Sequence, residues 1–128
     1  VKHTVLKVEL EVVVTDKDID DIVCTALEGG ITYWCDETKV IGDYLGEHAS
    51  DQISRGGKLK LYDYEGEAEH ILTKEKFFDG VKRYCKTPTA CNVLEQIDGQ
   101  LRIDTCQVDA NVADAIIQYA LFEDVIYG

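Results

Sequence analysis

The chain has 128 residues, 45% of them apolar, with 13 Lys+Arg against 25 Asp+Glu and a formal net charge of -12. That length suits one domain with a buried core, and the apolar content excludes a disordered acidic tail. The acidic balance argues against direct binding of duplex DNA, which needs clustered Lys and Arg, and no apolar run approaches the ~18 residues of a membrane span.

Residues 4–14, TVLKVELEVVV, alternate. Thr4, Leu6, Val8, Leu10, Val12 and Val14 share one face, with Lys7, Glu9 and Glu11 on the other, which predicts a long half-buried strand. Thr15 with Asp18 three residues on predicts a capped helix start, and Ile19, Ile22, Val23, Ala26 and Leu27 give that helix its stripe over 16–28. Gly29-Gly30 ends it. ITYWC (31–35) reads as a buried extended segment or the start of another helix. Tyr44, Leu45, His48 and Ile53 predict a helix over 43–54, with His48 packed on its apolar side.

KLKLYDY and AEHILT flank Glu65-Gly66 and predict a hairpin over 58–72. Thr73 caps a helix over 74–85 with Phe77 and Val81 inward. Thr87-Pro88 starts a short helix over TACNVLEQI, followed by a strand at 101–104. The rival reading is a hairpin around Asp98-Gly99. Asp109 caps the last helix, 110–122, whose stripe of Val112, Ala115, Ile116, Tyr119 and Ala120 is widened by Ile117 and Leu121. A stripe that wide implies burial on more than one side. The expected architecture is a single α+β domain over 1–128. In it the long N-terminal strand and the hairpin share a small antiparallel sheet covered by about four helices, with an exposed edge that can support a homodimer.

Cys24, Cys35, Cys85, Cys91 and Cys106 are odd in number and irregularly spaced, and no Cys-x-x-Cys pair occurs. They read as reduced thiols of a cytoplasmic protein, with Cys24 and Cys85 as small core residues, and no metal site or cofactor is expected. The sequence has no Gly-rich phosphate loop, G-x-S-x-G or H-E-x-x-H. No catalytic residues are assigned.

Charge is uneven. Residues 1–53 carry 4 basic and 12 acidic groups, residues 54–88 carry 8 and 6, and residues 89–128 carry 1 and 7. The acidic excess reads either as a solvated surface or as a face for a basic protein partner. On the second reading, Asp43, Glu47 and Asp51 form a row at i, i+4 and i+8 of the 43–54 helix, flanked by Asp36 and Glu37. Trp34 is either a core residue or, if exposed among these carboxylates, an anchor for the partner. The alternative function is a small-molecule binder, for example of a nucleotide signal, using Arg55, Lys58, Lys60, Lys82 and Arg83 of the basic 55–86 island.

ALEGGITYWC, GDYLGEHASDQISRGGKLKLYD, LTKEKFFDGV and DAIIQYALFEDVIYG together resemble a group of short acidic proteins of prophages and mobile elements in Gram-positive gut bacteria. The resemblance implies a protein that binds host or element machinery. A nuclease or DNA-binding protein is one such target, blocked by imitation of DNA charge in an anti-defence role. No site residue comes with it.

Overall fold

The computed structural model describes residues 2–64 and 68–128. The turn expected at Glu65-Gly66 lies outside the described residues. In chain order the elements are β1 (Val12–Val13), α1 (Asp16–Thr25), β2 (Cys35–Ile41), β3 (Lys58–Asp63), β4 (Glu69–Leu72), α2 (Lys74–Tyr84), β5 (Leu94–Ile97), β6 (Gln100–Ile103) and α3 (Ala110–Phe122).

All three helices start where the capping residues say they should. Thr15 Oγ1 accepts from the Asp18 N–H at 3.1 Å while Asp18 Oδ2 accepts from the Thr15 N–H at 2.9 Å. Thr73 Oγ1 accepts from Lys76 N, and Asp109 Oδ1 from Val112 N. Each cap satisfies helix-end N–H groups that would otherwise lack an intrahelical acceptor. After α1, Ala26–Gly30 makes one π-helical turn. Gly30 is required there, because a Cβ would lie 2.8 Å from the Ala110 carbonyl oxygen at the start of α3.

The fold is α+β, but the single shared sheet is replaced by two three-stranded sheets, ordered β1-β6-β5 and β2-β3-β4. The strand over 4–14 is confined to Val12–Val13 and pairs in parallel with β6, away from the hairpin. Its register, Val12 opposite Leu101, explains the shortness: two residues upstream of Leu101 the partner strand ends in the Asp98-Gly99 turn. Residues before 11 run past that turn, and no described strand pairs with them. Leu6, Val8 and Leu10, expected in the core, are exposed, and Val12 is half-buried.

The helix over 43–54 is also absent; only a 3-10 turn, Ala49–Asp51, forms there. The cause is Gln52, whose fully buried side chain takes over the local hydrogen bonding. Its Oε1 accepts from Leu45 N at 2.7 Å and its Nε2 donates to the His48 carbonyl at 2.7 Å. The loop wraps around this amide, helped by Gly42 in the left-handed region. Leu45 and His48 are consequently exposed, and Ile53 is the buried anchor. The described residues therefore form three α-helices where four are expected.

The hairpin 58–72 forms as β3 and β4. After Pro88 the expected helix over 89–97 is cut to a 3-10 turn over Pro88–Asn92, and the rival reading, the β5–β6 hairpin with Asp98 and Gly99 at positive φ, takes its place. β2 is the one strand that residue patterning did not mark. The core joins Ile19, Ile22 and Val23 of α1, Leu59 and Leu61 of β3, Phe77 of α2, and Ile116 and Ile117 of α3. Leu27 and Leu121 are half-buried, as is Cys24; Cys35 is the buried thiol. Gly80 sets the close crossing of α2 on α3, since a Cβ there would lie 2.5 Å from the Ile116 carbonyl oxygen. No described helix is long and apolar enough to cross a membrane.

Candidate functional site: an aromatic and acidic cleft

An open cleft of about 880 Å³ lies where β2 begins, β3 ends, and α3 meets the closing residues 125–128. Tyr33 and Trp34 reach it just before β2, Asp63 and Tyr64 at the end of β3, Asp114 from α3, and Tyr127 from the closing segment. The hairpin strand β3 is held by β2 and β4, so Asp63 is fixed by the sheet register.

Asp114 organises the floor. Its Oδ2 accepts from the Tyr33 hydroxyl at 2.6 Å, and its Oδ1 from Trp34 Nε1 at 2.8 Å and Gln118 Nε2 at 2.9 Å. Gln118, one turn further along α3 and fully buried, holds the closing segment. Its Oε1 accepts from the N–H groups of Ile126 and Tyr127 at 2.8 and 2.9 Å. That clamp lays the Tyr127 ring parallel to Trp34, with centroids 5.1 Å apart and planes 6° from parallel. Phe122 meets both rings edge-on. His70 packs edge-on against Phe122 and lies 3.4 Å from Asp63 Oδ2.

The three donors to Asp114 are neutral, so among the described residues the buried carboxylate charge is spread over hydrogen bonds and not cancelled by a cation. Burial and the neighbouring Asp114 carboxylate push the Tyr33 hydroxyl up to about 12. It therefore stays a donor through the physiological range. The described lining contains carboxylates, aromatic rings, an Asn and small apolar residues, with no Lys, Arg or His. Asp63 and Asp114 are buried and already hold partners, so what they offer beside the exposed Tyr33 and Tyr64 is a negative field, which suits a guanidinium or an ammonium group. Burial raises the Cys35 and Cys85 thiols above their ordinary range, which keeps them protonated and poorly nucleophilic. Among the described residues no group of three or more His, Cys, Asp or Glu is placed to hold a metal ion.

A second groove of about 320 Å³ runs between α2 and α3. Lys82, Arg83 and Lys86 line it together with Asp79 and Glu123, and Arg83 lies 3.8 Å from Glu123. Arg83 Nε is buried without a hydrogen-bond partner among the described residues.

The residues singled out from sequence fall in several places. Trp34 is a cleft wall and not a surface anchor: it is 3% exposed, with its indole N–H committed to Asp114. Asp36 and Glu37 are exposed on the edge strand β2. Asp43 and Glu47 are exposed on the loop around Gln52, and Asp51 accepts from the His48 N–H at 3.0 Å. With no helix there, the row at i, i+4 and i+8 does not exist. Of the basic set, Lys82 and Arg83 share the second groove. Lys58 and Lys60 sit on the outward face of β3, and Arg55 turns back onto the Asp51 carbonyl at 2.9 Å.

Sequence reading missed Asp63, Tyr64, Asp114, Gln118 and Tyr127. A signal for two of them existed. Asp114 and Gln118 are polar residues one turn apart in a helix whose apolar stripe already implied burial on several sides, so they had to find partners. In comparisons with known proteins, no family model, curated protein or solved structure matches this chain.

Proposed function

We propose that this chain is a non-enzymatic binding protein that engages a basic surface on a protein partner, with the aromatic and acidic cleft receiving an Arg or Lys side chain. The observation that carries the reading is the lining of the cleft: carboxylates and ring faces with no cationic side chain among the described residues. The net charge of -12 adds a long-range field that speeds encounter with a basic partner and weakens with salt. Exposed Asp36, Glu37, Asp43 and Glu47, with half-buried Asp51, supply part of that field. In the setting that the sequence resemblance implies, the partner is a nuclease or DNA-binding protein met in the cytoplasm, and the activity is anti-defence by charge imitation.

The test is titration of the full chain with an Arg-rich peptide and an uncharged control at two salt concentrations, for wild type and Tyr64→Ala. Loss of one exposed ring face should weaken the Arg-rich peptide by about threefold to tenfold. Attraction that depends only on net charge would leave Tyr64→Ala like wild type, and that result would remove the cleft from the reading.

A second reading follows from the other groove. Lys82, Arg83 and Lys86, with Arg83 Nε unpartnered, are a candidate seat for a phosphate-bearing small molecule such as a nucleotide. Titration with a nucleoside monophosphate tests it, with Lys82→Ala as the variant that should lower affinity.

A further inference from the structure

Residues 2–11 are written as a strand and have no strand partner among the described residues. Leu6, Val8 and Leu10 are 78%, 76% and 61% exposed, an apolar row that the chain's own fold leaves bare. These residues lead directly into β1, which is an edge of its sheet: β6 occupies one side of Val12–Val13 and the other is open. Exposed apolar strands next to an open edge are templates for pairing with another chain.

We propose that two copies of this chain pair antiparallel through residues 3–13, about a two-fold axis at Val8. The charge pattern selects both the partner and the register. Directly opposite residues in an antiparallel pair lie on the same face, so only registers that match the alternation keep Leu6, Val8 and Leu10 together. Of these, centring on Lys7 sets Lys7 against Lys7, and centring on Glu9 sets Glu9 against Glu9. Centring on Val8 sets Lys7 against Glu9 twice, Leu6 against Leu10 twice, and Val8 against itself. The same register places Thr4 and His3 of one copy opposite Val12 and Val13 of the other, on the open side of β1. The β1-β6-β5 sheets of the two copies then join into one six-stranded sheet with two edges hidden, which removes the marginal stability of an isolated two-stranded ribbon. The symmetric interface is self-complementary, as a closed dimer requires. It uses none of the cleft residues and stands independently of the proposed binding function.

The experiment is sedimentation analysis of the full chain over a concentration series, for wild type, Lys7→Glu, Glu9→Lys, and an equimolar mixture of the two variants. Both sites are exposed, so the fold should be untouched, and far-UV circular dichroism checks this. Wild type should dimerise. Lys7→Glu sets Glu against Glu twice and Glu9→Lys sets Lys against Lys twice, so each alone should dimerise about tenfold more weakly or worse. Their mixture restores both opposite-charge pairs and should form a heterodimer of near wild-type affinity. A monomeric wild type overturns the proposal. Single variants that dimerise like wild type, or a mixture that stays weak, overturn the register.

Discussion

Replacing Gln118 with Glu changes one atom group and tests the buried network directly. The Oε1 acceptor for Ile126 and Tyr127 survives. The Nε2 donor becomes an oxygen 2.9 Å from Asp114 Oδ1, at a site with no solvent exposure. Two carboxylates cannot both stay ionised at that distance, so the pair holds a proton. An unperturbed Glu titrates at about 4.3, and each unit is worth about 1.4 kcal/mol, so holding the proton at pH 7 costs about 4 kcal/mol. The folded-state value is raised above the unfolded one. The variant is therefore nearest to wild type below about pH 4 and loses stability as pH rises. Urea denaturation followed by the fluorescence of Trp34, the one tryptophan in the chain, reads this out. Between about pH 5 and 7 the gap to wild type should widen by about 1.4 kcal/mol per unit. Gln118→Leu, which loses both the donor and the acceptor without adding charge, should cost stability by a gap that does not widen between about pH 5 and 7. A pH-independent gap for Gln118→Glu would refute the Asp114–Gln118 contact.

Gly80→Ala would ordinarily stabilise a helix interior by about 1 kcal/mol, but its Cβ would sit 2.5 Å from the Ile116 carbonyl oxygen, so a net loss of about 1–2 kcal/mol is expected in urea denaturation. Tyr33 carries a raised hydroxyl value, so its contribution to stability is complete below its ordinary 10.0 and disappears as pH rises toward about 12. Tyr33→Phe should lack that part of the alkaline loss when wild type and variant are melted side by side above pH 10. Ile22→Ala, at a fully buried position of α1, should cost about 2–5 kcal/mol, and an unchanged denaturation midpoint would contradict its place in the core.

Helix starts were legible because their chemistry is local: Thr15, Thr73 and Asp109 each cap within three residues. The β3–β4 strands were legible for the same reason, and the turn at Asp98-Gly99 only as the rival to a helix over 89–97. Strand pairing was not. The alternation of residues 4–14 is real, but burial depends on a neighbouring strand, and β6 ends too soon to provide one. The stripe Tyr44, Leu45, Ile53 has helical spacing, yet one buried amide, Gln52, outcompetes the helix ladder. β2 escaped notice because an edge strand rich in Asp, Glu, Thr and Lys has the composition of a loop. The cleft joins residues about 80 positions apart, as in Tyr33 with Asp114 and Trp34 with Asp114, separations that local patterning does not carry. Only the polar pair Asp114 and Gln118 inside an apolar helix pointed toward it.

The most direct test of the binding reading is a two-dimensional amide and indole NMR titration of the full chain with the Arg-rich peptide. Trp34 Nε1–H bonds to Asp114 at the cleft floor and gives the single indole signal. A cation seated between the carboxylates and the ring faces should move that signal together with the amides of Tyr64, Tyr127 and Gly128, which line the same cleft. The shifts should saturate and shrink as salt is raised. Shifts confined to Asp36, Glu37, Asp43 and Glu47, with the Trp34 indole unmoved, would show that the partner meets only the charged surface and that the cleft is not the binding site.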